Sequence, residues 1–149
     1  MPYEFKLTRR VEFAETDATG IMHFSNYFKY MEAAEHAFIR SLGESVFARA
    51  ADRSVVGFPR VHTECDFKAP ARFEDEIEVH LLVKEKREKV LTYQFVLRNL
   101  SAPTPVEVAR GLTTVVCVRL QEGQPFKSMP LPAALAEGIQ AAPPEMFAK

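Results

Sequence analysis

With two cysteines in 149 residues, a formal net charge of -1 and no apolar run near the roughly 18 residues of a membrane span, this chain is defined first by what it excludes. Cys65 and Cys117 show no CxxC spacing and sit in strand-like stretches, so both read as reduced, packed thiols rather than as a redox pair or a metal site. The opening MPYEFKLTRR has no apolar secretory core, which gives the expectation of a cytoplasmic protein with no membrane partner. The near-zero charge offers no global attraction to nucleic acid, and the basic residues are not interleaved with aromatics. Neither a repeat nor a low-complexity tract breaks the chain.

The length fits one domain, residues 1–149, able to bury about 70% of the surface of its unfolded form. Tyr3, Phe5, Leu7, Val11 and Phe13 alternate with polar residues and predict a first strand. From Ser25 to Leu42 the period changes. Tyr27, Met31, Ala34 and Phe38 form one stripe, widened by Phe28, Ile39 and Leu42, with Ser25 expected as N-cap and Gly43 as the left-handed stop. Alternation returns at 61–69, 77–83 and 91–97, and again from Val106 to Leu120, where Val106, Val108, Leu112, Val116, Val118 and Leu120 share one parity.

Strand, long helix and four antiparallel strands make an α+β domain with a single helix on one face of a curved five-stranded sheet. One helix cannot cover both faces or protect the edges, so a second copy of the chain is expected. The core is expected to lie within residues 3–120. Residues 121–149 are expected to hold a short helix begun at Pro132 and a loose Pro-rich tail.

Chemistry is expected where the Gly-containing loop TDATG runs into the helix. A helix start offers unpaired N–H groups and the positive end of the macrodipole to an oxygen gaining negative charge, and Asp17 lies eight residues upstream of Ser25. An ordinary Asp is ionised at neutral pH and can attack a carbonyl or accept a proton from water; equally, an Asp in such a loop can serve only to shape the turn.

The stretch Glu15, Asp17, Gly20, Ile21, Met22, Ser25, Asn26 and Tyr27 resembles the signature of the 4-hydroxybenzoyl-CoA thioesterase-like hotdog family, a (D/E)-x-D-x-x-G loop leading through Asn-Tyr into a long helix. Pro70, Ala71 and Asp75 are similar to the same family's P-A-x-x-x-D turn. The resemblance spans about residues 3–120. It implies a hotdog fold in which the sheet wraps the helix, an acyl-CoA substrate, no separate cofactor or metal, and a homodimer or homotetramer with the site at the subunit interface. It implies hydrolysis of the thioester to a carboxylic acid and free CoA, with Asp17 as nucleophile or general base and the Phe24 backbone N–H as the donor that polarises the carbonyl.

Where many members carry Tyr-His, this chain has His23-Phe24. His23 could touch the acyl group, orient water or cap the helix entry. Asn26 could brace the loop or meet substrate, and Tyr27 could pack in the stripe or line the pocket. Glu32, Glu35 and His36 form a rival acid-base cluster on the helix. The charged run KEKREK places Arg87 and Lys89 as candidate ligands for the CoA phosphates. A module that binds acyl-CoA or acyl-carrier protein without turnover, and a hydratase or dehydratase of the same fold, are the competing readings; Met22 stands where the hydratase lineage usually has His.

Overall fold

The computed structural model describes residues 2–147. Strand β1 (Glu4–Arg10) leads through a 3₁₀ turn at Phe13–Glu15 to helix α1 (Ser25–Ser41). Short strands β2 (Ala48–Arg49) and β3 (Val55–Gly57) precede the long strands β4 (Arg60–Phe67), β5 (Glu76–Lys86), β6 (Val90–Asn99) and β7 (Val106–Val116). Strands β8 (Val118–Leu120) and β9 (Lys127–Ser128), helix α2 (Ala133–Gly138) and a 3₁₀ turn at Pro144–Phe147 complete it.

The principal sheet has five antiparallel strands in the order β1-β5-β6-β7-β4, with α1 packed on its concave face, as the periodicity predicts. The helix buries Tyr27, Met31, Ala34, Phe38 and Ile39, together with Tyr30 and Glu35, which the apolar stripe did not include. Gly43 stops it at φ +82°. Its N–H bonds to the Arg40 carbonyl and that of Glu44 to the Ile39 carbonyl, the paired closure of a Schellman motif.

Four local expectations change. The first strand ends at Arg10, and Phe13 lies in the 3₁₀ turn, 76% exposed. From Ala109 onward the inner face of β7 has the opposite parity to that predicted: Ala109, Gly111, Thr113 and Val115 are buried, while Leu112 and Thr114 are only partly buried; Val108, on the predicted parity, is buried in the core as expected. Small residues face inward here because α1 comes close. A Cβ at Gly111 would meet Met31 Sδ and Cε at 2.5 Å, a contact real side chains do not make. Third, the ladder breaks at Cys117, so Val118–Leu120 leaves the main sheet and pairs with β3 in a second sheet, β2-β3-β8-β9, built partly from the Ala- and Arg-rich linker.

The fourth concerns the tail. Leu131, Leu135, Ile139 and Ala142 are all buried, and the first three join the central core. Lys86 Nζ donates to the carbonyls of Ala136 and Ile139, which neutralises the C-terminal end of α2. Beyond it the chain crosses to the convex side of the sheet. There the Ala142 N–H bonds to the Val83 carbonyl, and Phe147 reaches Gln94 and Leu112. Phe147 and the outward-facing Gln94 line the same surface cleft, and Leu82 and Val96 on the outward parity are buried too.

Candidate active site

The TDATG loop is stitched into the body of the protein from both sides. The Asp17 N–H bonds to the Ile21 carbonyl at 2.8 Å, closing a turn whose left-handed position is Gly20, φ +83°. The Met22 N–H donates to the Ala71 carbonyl at 2.7 Å, and Ile21 bridges Arg72. The P-A-x-x-x-D turn is therefore a brace. Ala71 is fully buried, and Asp75 Oδ2 accepts from the Arg72 N–H at 2.8 Å and from Asn99 Nδ2 at 2.9 Å. Glu15 does similar work on the other flank: its carbonyl accepts from His23 N–H and from Asn26 Nδ2 at 2.9 Å, and its carboxylate accepts from Tyr30 Oη at 2.7 Å.

Asp17 Oδ1 accepts both the Thr19 N–H at 2.8 Å and the Thr19 hydroxyl at 2.5 Å. These bonds, the hydroxyl first, hold the carboxyl below its ordinary range and keep it ionised. The turn-shaping reading of Asp17 is the one seen, through one oxygen, and among the described residues Oδ2 has no hydrogen-bond partner. Thr19→Val, which deletes the hydroxyl but keeps the N–H, is expected to raise the Asp17 titration midpoint toward the ordinary value. A carbon-detected NMR titration of that carboxyl would read the change, and an unmoved midpoint would contradict the hydrogen-bond cause.

Asp17 opens onto a cleft of about 630 Å³ lined by Thr19, Ile21, Met22, Phe24, Tyr27, Phe67, Ala69, Pro70 and Arg72. Apart from Asp17, Thr19 and Arg72 the wall is apolar. Tyr27 is buried, as the stripe predicts, yet its ring also forms the cleft wall, edge-on to Phe67 with centroids 5.0 Å apart. Phe24 occupies the N-cap position in helical geometry, φ -54° and ψ -32°, with its ring 60% exposed at the cleft. Among the described residues its N–H donates to no protein acceptor, so the helix start keeps a free donor beside Asp17.

Ser25 is not the N-cap; it is the first helical residue, and no side chain of the cap residue closes the turn. His23 takes over that work. Its Nδ1 accepts the Ser25 N–H at 3.3 Å and lies 2.8 Å from the Ser25 hydroxyl, which places the proton of the neutral ring on Nε2. The capping role considered for His23 is therefore the one seen, and the ring remains exposed beside Phe24, with centroids 4.6 Å apart. Asn26, 8% exposed, braces the loop through Glu15 and does not line the cleft.

Arg87 and Lys89 are not brought to this cleft in their own chain. They form the β5–β6 turn, whereas Arg72 and Asp75 precede the other end of β5, 11 residues or about 35 Å away along the strand. Arg87 pairs with Glu85. The cleft residue that sequence reasoning missed is Arg72, whose guanidinium has no ion-pair partner among the described residues; its place directly after Pro70-Ala71 was the available signal.

The rival cluster exists as an ion pair inside the fold. Glu35, 1% exposed, pairs with Arg60, which also lies 3.6 Å from Glu32, while His36 Nε2 is 4.0 Å from Glu35. Burial pushes the Glu35 carboxyl up to about 6 against the opposing pull of Arg60. Between the ordinary 4.5 and this value the folded chain holds a proton that the unfolded chain has released. Stability therefore falls as pH rises through that window, by roughly 2 kcal/mol at most, and is unaffected by this group below it. Urea unfolding midpoints should show the decline, and Glu35→Gln should remove it.

Among the described residues no cluster of His, Cys, Asp and Glu is arranged to hold a metal ion, and no helix is long and apolar enough to cross a membrane.

Comparison with known proteins agrees with the fold. A 1,4-dihydroxy-2-naphthoyl-CoA hydrolase of Synechococcus elongatus is 27% identical over 137 residues, covering 92% of this chain and 96% of that one. A 4-hydroxybenzoyl-CoA thioesterase of a Pseudomonas species is 22% identical over 138 residues, 92% and 98% of the two chains. The fold matches that of a 1,4-dihydroxy-2-naphthoyl-CoA thioesterase from Synechocystis with a TM-score of 0.76 at 24% identity, over 91% of this chain and 95% of the other. The family model of the thioesterase-like superfamily matches residues 11–139. The chain belongs to that superfamily, as a hotdog-fold thioester hydrolase.

Proposed function

We propose that this protein hydrolyses an aromatic acyl-CoA, with Asp17 as the nucleophile and the Phe24 N–H as the donor to the thioester oxygen. The observation that carries the reading is an ionised carboxylate with one free oxygen, sharing an apolar cleft with an unpaired helix-start N–H. Tyr27, Phe67 and Phe24 offer ring surfaces to a planar acyl group, and two relatives bear the names of aryl-CoA hydrolases.

The Thr19 bonds occupy one oxygen of Asp17 and leave the other free to attack carbon, which is the role assigned to it here. Asp17 Oδ2 adds to the carbonyl carbon as its oxygen gains charge opposite the Phe24 N–H. The C–S bond then breaks, the CoA thiolate leaves and takes a proton from solvent, and water cleaves the mixed anhydride to free acid and carboxylate. A thiolate leaves readily, so one nucleophile and one preorganised donor meet the main demand; loss of such a donor costs about 10²- to 10³-fold elsewhere.

We assign the working form to a homodimer, or a homotetramer built from it, with the cleft at the interface. Arg87 and Lys89 are proposed to meet the CoA phosphates from the second copy, because their own cleft is out of reach. A thiol-release screen over aromatic, short, long and branched acyl-CoAs should find turnover highest with the aromatic ones. With water adding at the Asp17 carboxyl carbon of the anhydride, a single turnover in heavy-oxygen water should leave label in the Asp17 carboxylate; label found only in the product acid would overturn that route of anhydride cleavage.

A further inference from the structure

Arg72 opens the turn that leads into β5, and its main chain is clamped. Its N–H donates to Asp75 Oδ2 at 2.8 Å, its carbonyl accepts the Asp75 N–H at 3.0 Å, and it bridges Ile21 of the Asp17 loop. The side chain therefore starts from a fixed point beside that loop and lines the same cleft as Asp17. Along the main sheet Arg9, Arg10, Arg60, Arg98 and Arg110 each reach a glutamate. Among the described residues Arg72 reaches no carboxylate, although two stand close to it in the sequence. Asp75 commits Oδ2 to the Arg72 N–H and to Asn99 Nδ2, and Glu74 lines a separate cleft with Arg9 and Arg10.

A guanidinium left without a carboxylate on an otherwise apolar wall is a ready ligand for an anion, and its planar fork matches both oxygens of a carboxylate at once. Asp17 repels a second negative charge in the cleft, at a cost that only a facing cation offsets. Among the described residues Arg72 is the one cationic side chain on that wall. Span decides which part of a thioester brings the charge. A space of about 630 Å³ is on the order of 10 Å across. The pantetheine arm holds the CoA diphosphate away from the sulfur by a chain about as long as four extended residues, on the order of 14 Å, which places the phosphates outside the cleft. One aromatic ring between the reacting carbon and a carboxylate fits within it.

We infer that Arg72 selects acyl groups carrying an ionised carboxylate, donating two parallel N–H bonds to it while the thioester carbon stands at Asp17. The inference rests on the proposed thioesterase reading of the cleft and narrows its substrate to aromatic acyl-CoAs with a second acid group, of which 4-carboxybenzoyl-CoA is the simplest. Phe24, Tyr27 and Phe67 flank the ring between the two charged ends of the cleft. Hydrolysis of such a thioester releases a dicarboxylate and free CoA.

The test reads selectivity, the ratio of kcat/KM for 4-carboxybenzoyl-CoA to that for 4-methylbenzoyl-CoA, because a loss common to both substrates cancels. Wild type is expected to favour the acid by about 10- to 100-fold, Arg72→Gln to abolish that preference, and Arg72→Lys to keep part of it. Arg72→Glu should prefer 4-(aminomethyl)benzoyl-CoA over the acid. A wild-type ratio near one, or a ratio that Arg72→Gln leaves unchanged, overturns the inference. Pantetheine thioesters of the same acids lack the phosphates and should show the same preference. A loss in Arg72→Gln that falls equally on both CoA thioesters and on neither pantetheine thioester would assign the guanidinium to a phosphate and overturn its acyl role. Calorimetry with the uncleavable thioethers 4-carboxyphenacyl-CoA and phenacyl-CoA measures binding apart from turnover. The acid should bind wild type about 10-fold or more tightly than the neutral analogue does, and Arg72→Gln should bind the two alike. That binding result, with no thioester turned over by any form, would keep the anion site and count against the thioesterase reading alone.

Discussion

Asp17→Asn is expected to fold normally and to lose on the order of 10³- to 10⁴-fold in kcat. Asn retains an acceptor in place of Oδ1, so the Thr19 N–H and hydroxyl keep their partner and the turn closed by Gly20 survives. What disappears is the free oxygen facing the cleft, replaced by an amide NH₂ that can neither add to a carbonyl nor bear charge. The comparison is therefore close to a single-atom change at the reacting position. Circular dichroism and an unfolding midpoint matching wild type would confirm the intact fold, and thiol release would report the chemistry. A variant with kcat within about tenfold of wild type would remove Asp17 from the mechanism and return attention to Glu35 and Glu32.

Leu135→Ala and Ile139→Ala are each expected to cost about 2–5 kcal/mol, and together to approach the whole stability of a domain this size. Leu135 is 1% exposed and Ile139 fully buried, in a segment that composition assigns to a tail. Truncating either leaves a cavity that the surrounding strands cannot close, because α2 is held by Lys86 through two carbonyls. Urea denaturation of the single and double variants would measure this. A combined loss below about 1 kcal/mol would mean that the segment merely rests on the core.

The contrast with the prediction for that segment shows what the sequence carries and what it does not. Alternation and the helical stripe encode a face, so the order of long elements, the five-stranded sheet and the position of α1 were all readable from them. They do not encode which of two apolar faces meets the helix. In β7 the apolar parity pointed outward, because the close approach of Met31 demands glycine and small residues inside. The short helix after Pro132 was legible from that residue, but its burial was missed for a related reason: a few apolar residues among prolines have no period, and only the tertiary arrangement shows that they cap the core.

At the candidate site, the meeting of the Asp17 loop with a helix start was legible because it is a local feature, whereas the choice of the Phe24 N–H came only from the family resemblance. His23 as the cap, Asn26 and Glu15 as braces, and Arg72 in the cleft wall depend on chain segments brought together only by folding. Arg87 and Lys89 lie at the far end of β5 from the cleft of their own chain, a separation that a charge run in the sequence does not show.

The double anchoring of the Asp17 loop bears on the time course of the reaction. With Met22 tied to Ala71, Asp17 to Ile21 and His23 to Glu15, the loop carrying the carboxylate is part of the cooperative fold and not a hinged flap. Its amides should exchange with solvent as slowly as those of the central strands, and the ordering of the site is complete before substrate arrives. On the proposed mechanism, encounter then requires no slow closing step, so acyl transfer or release of free CoA, and not a loop motion, is left to set the rate.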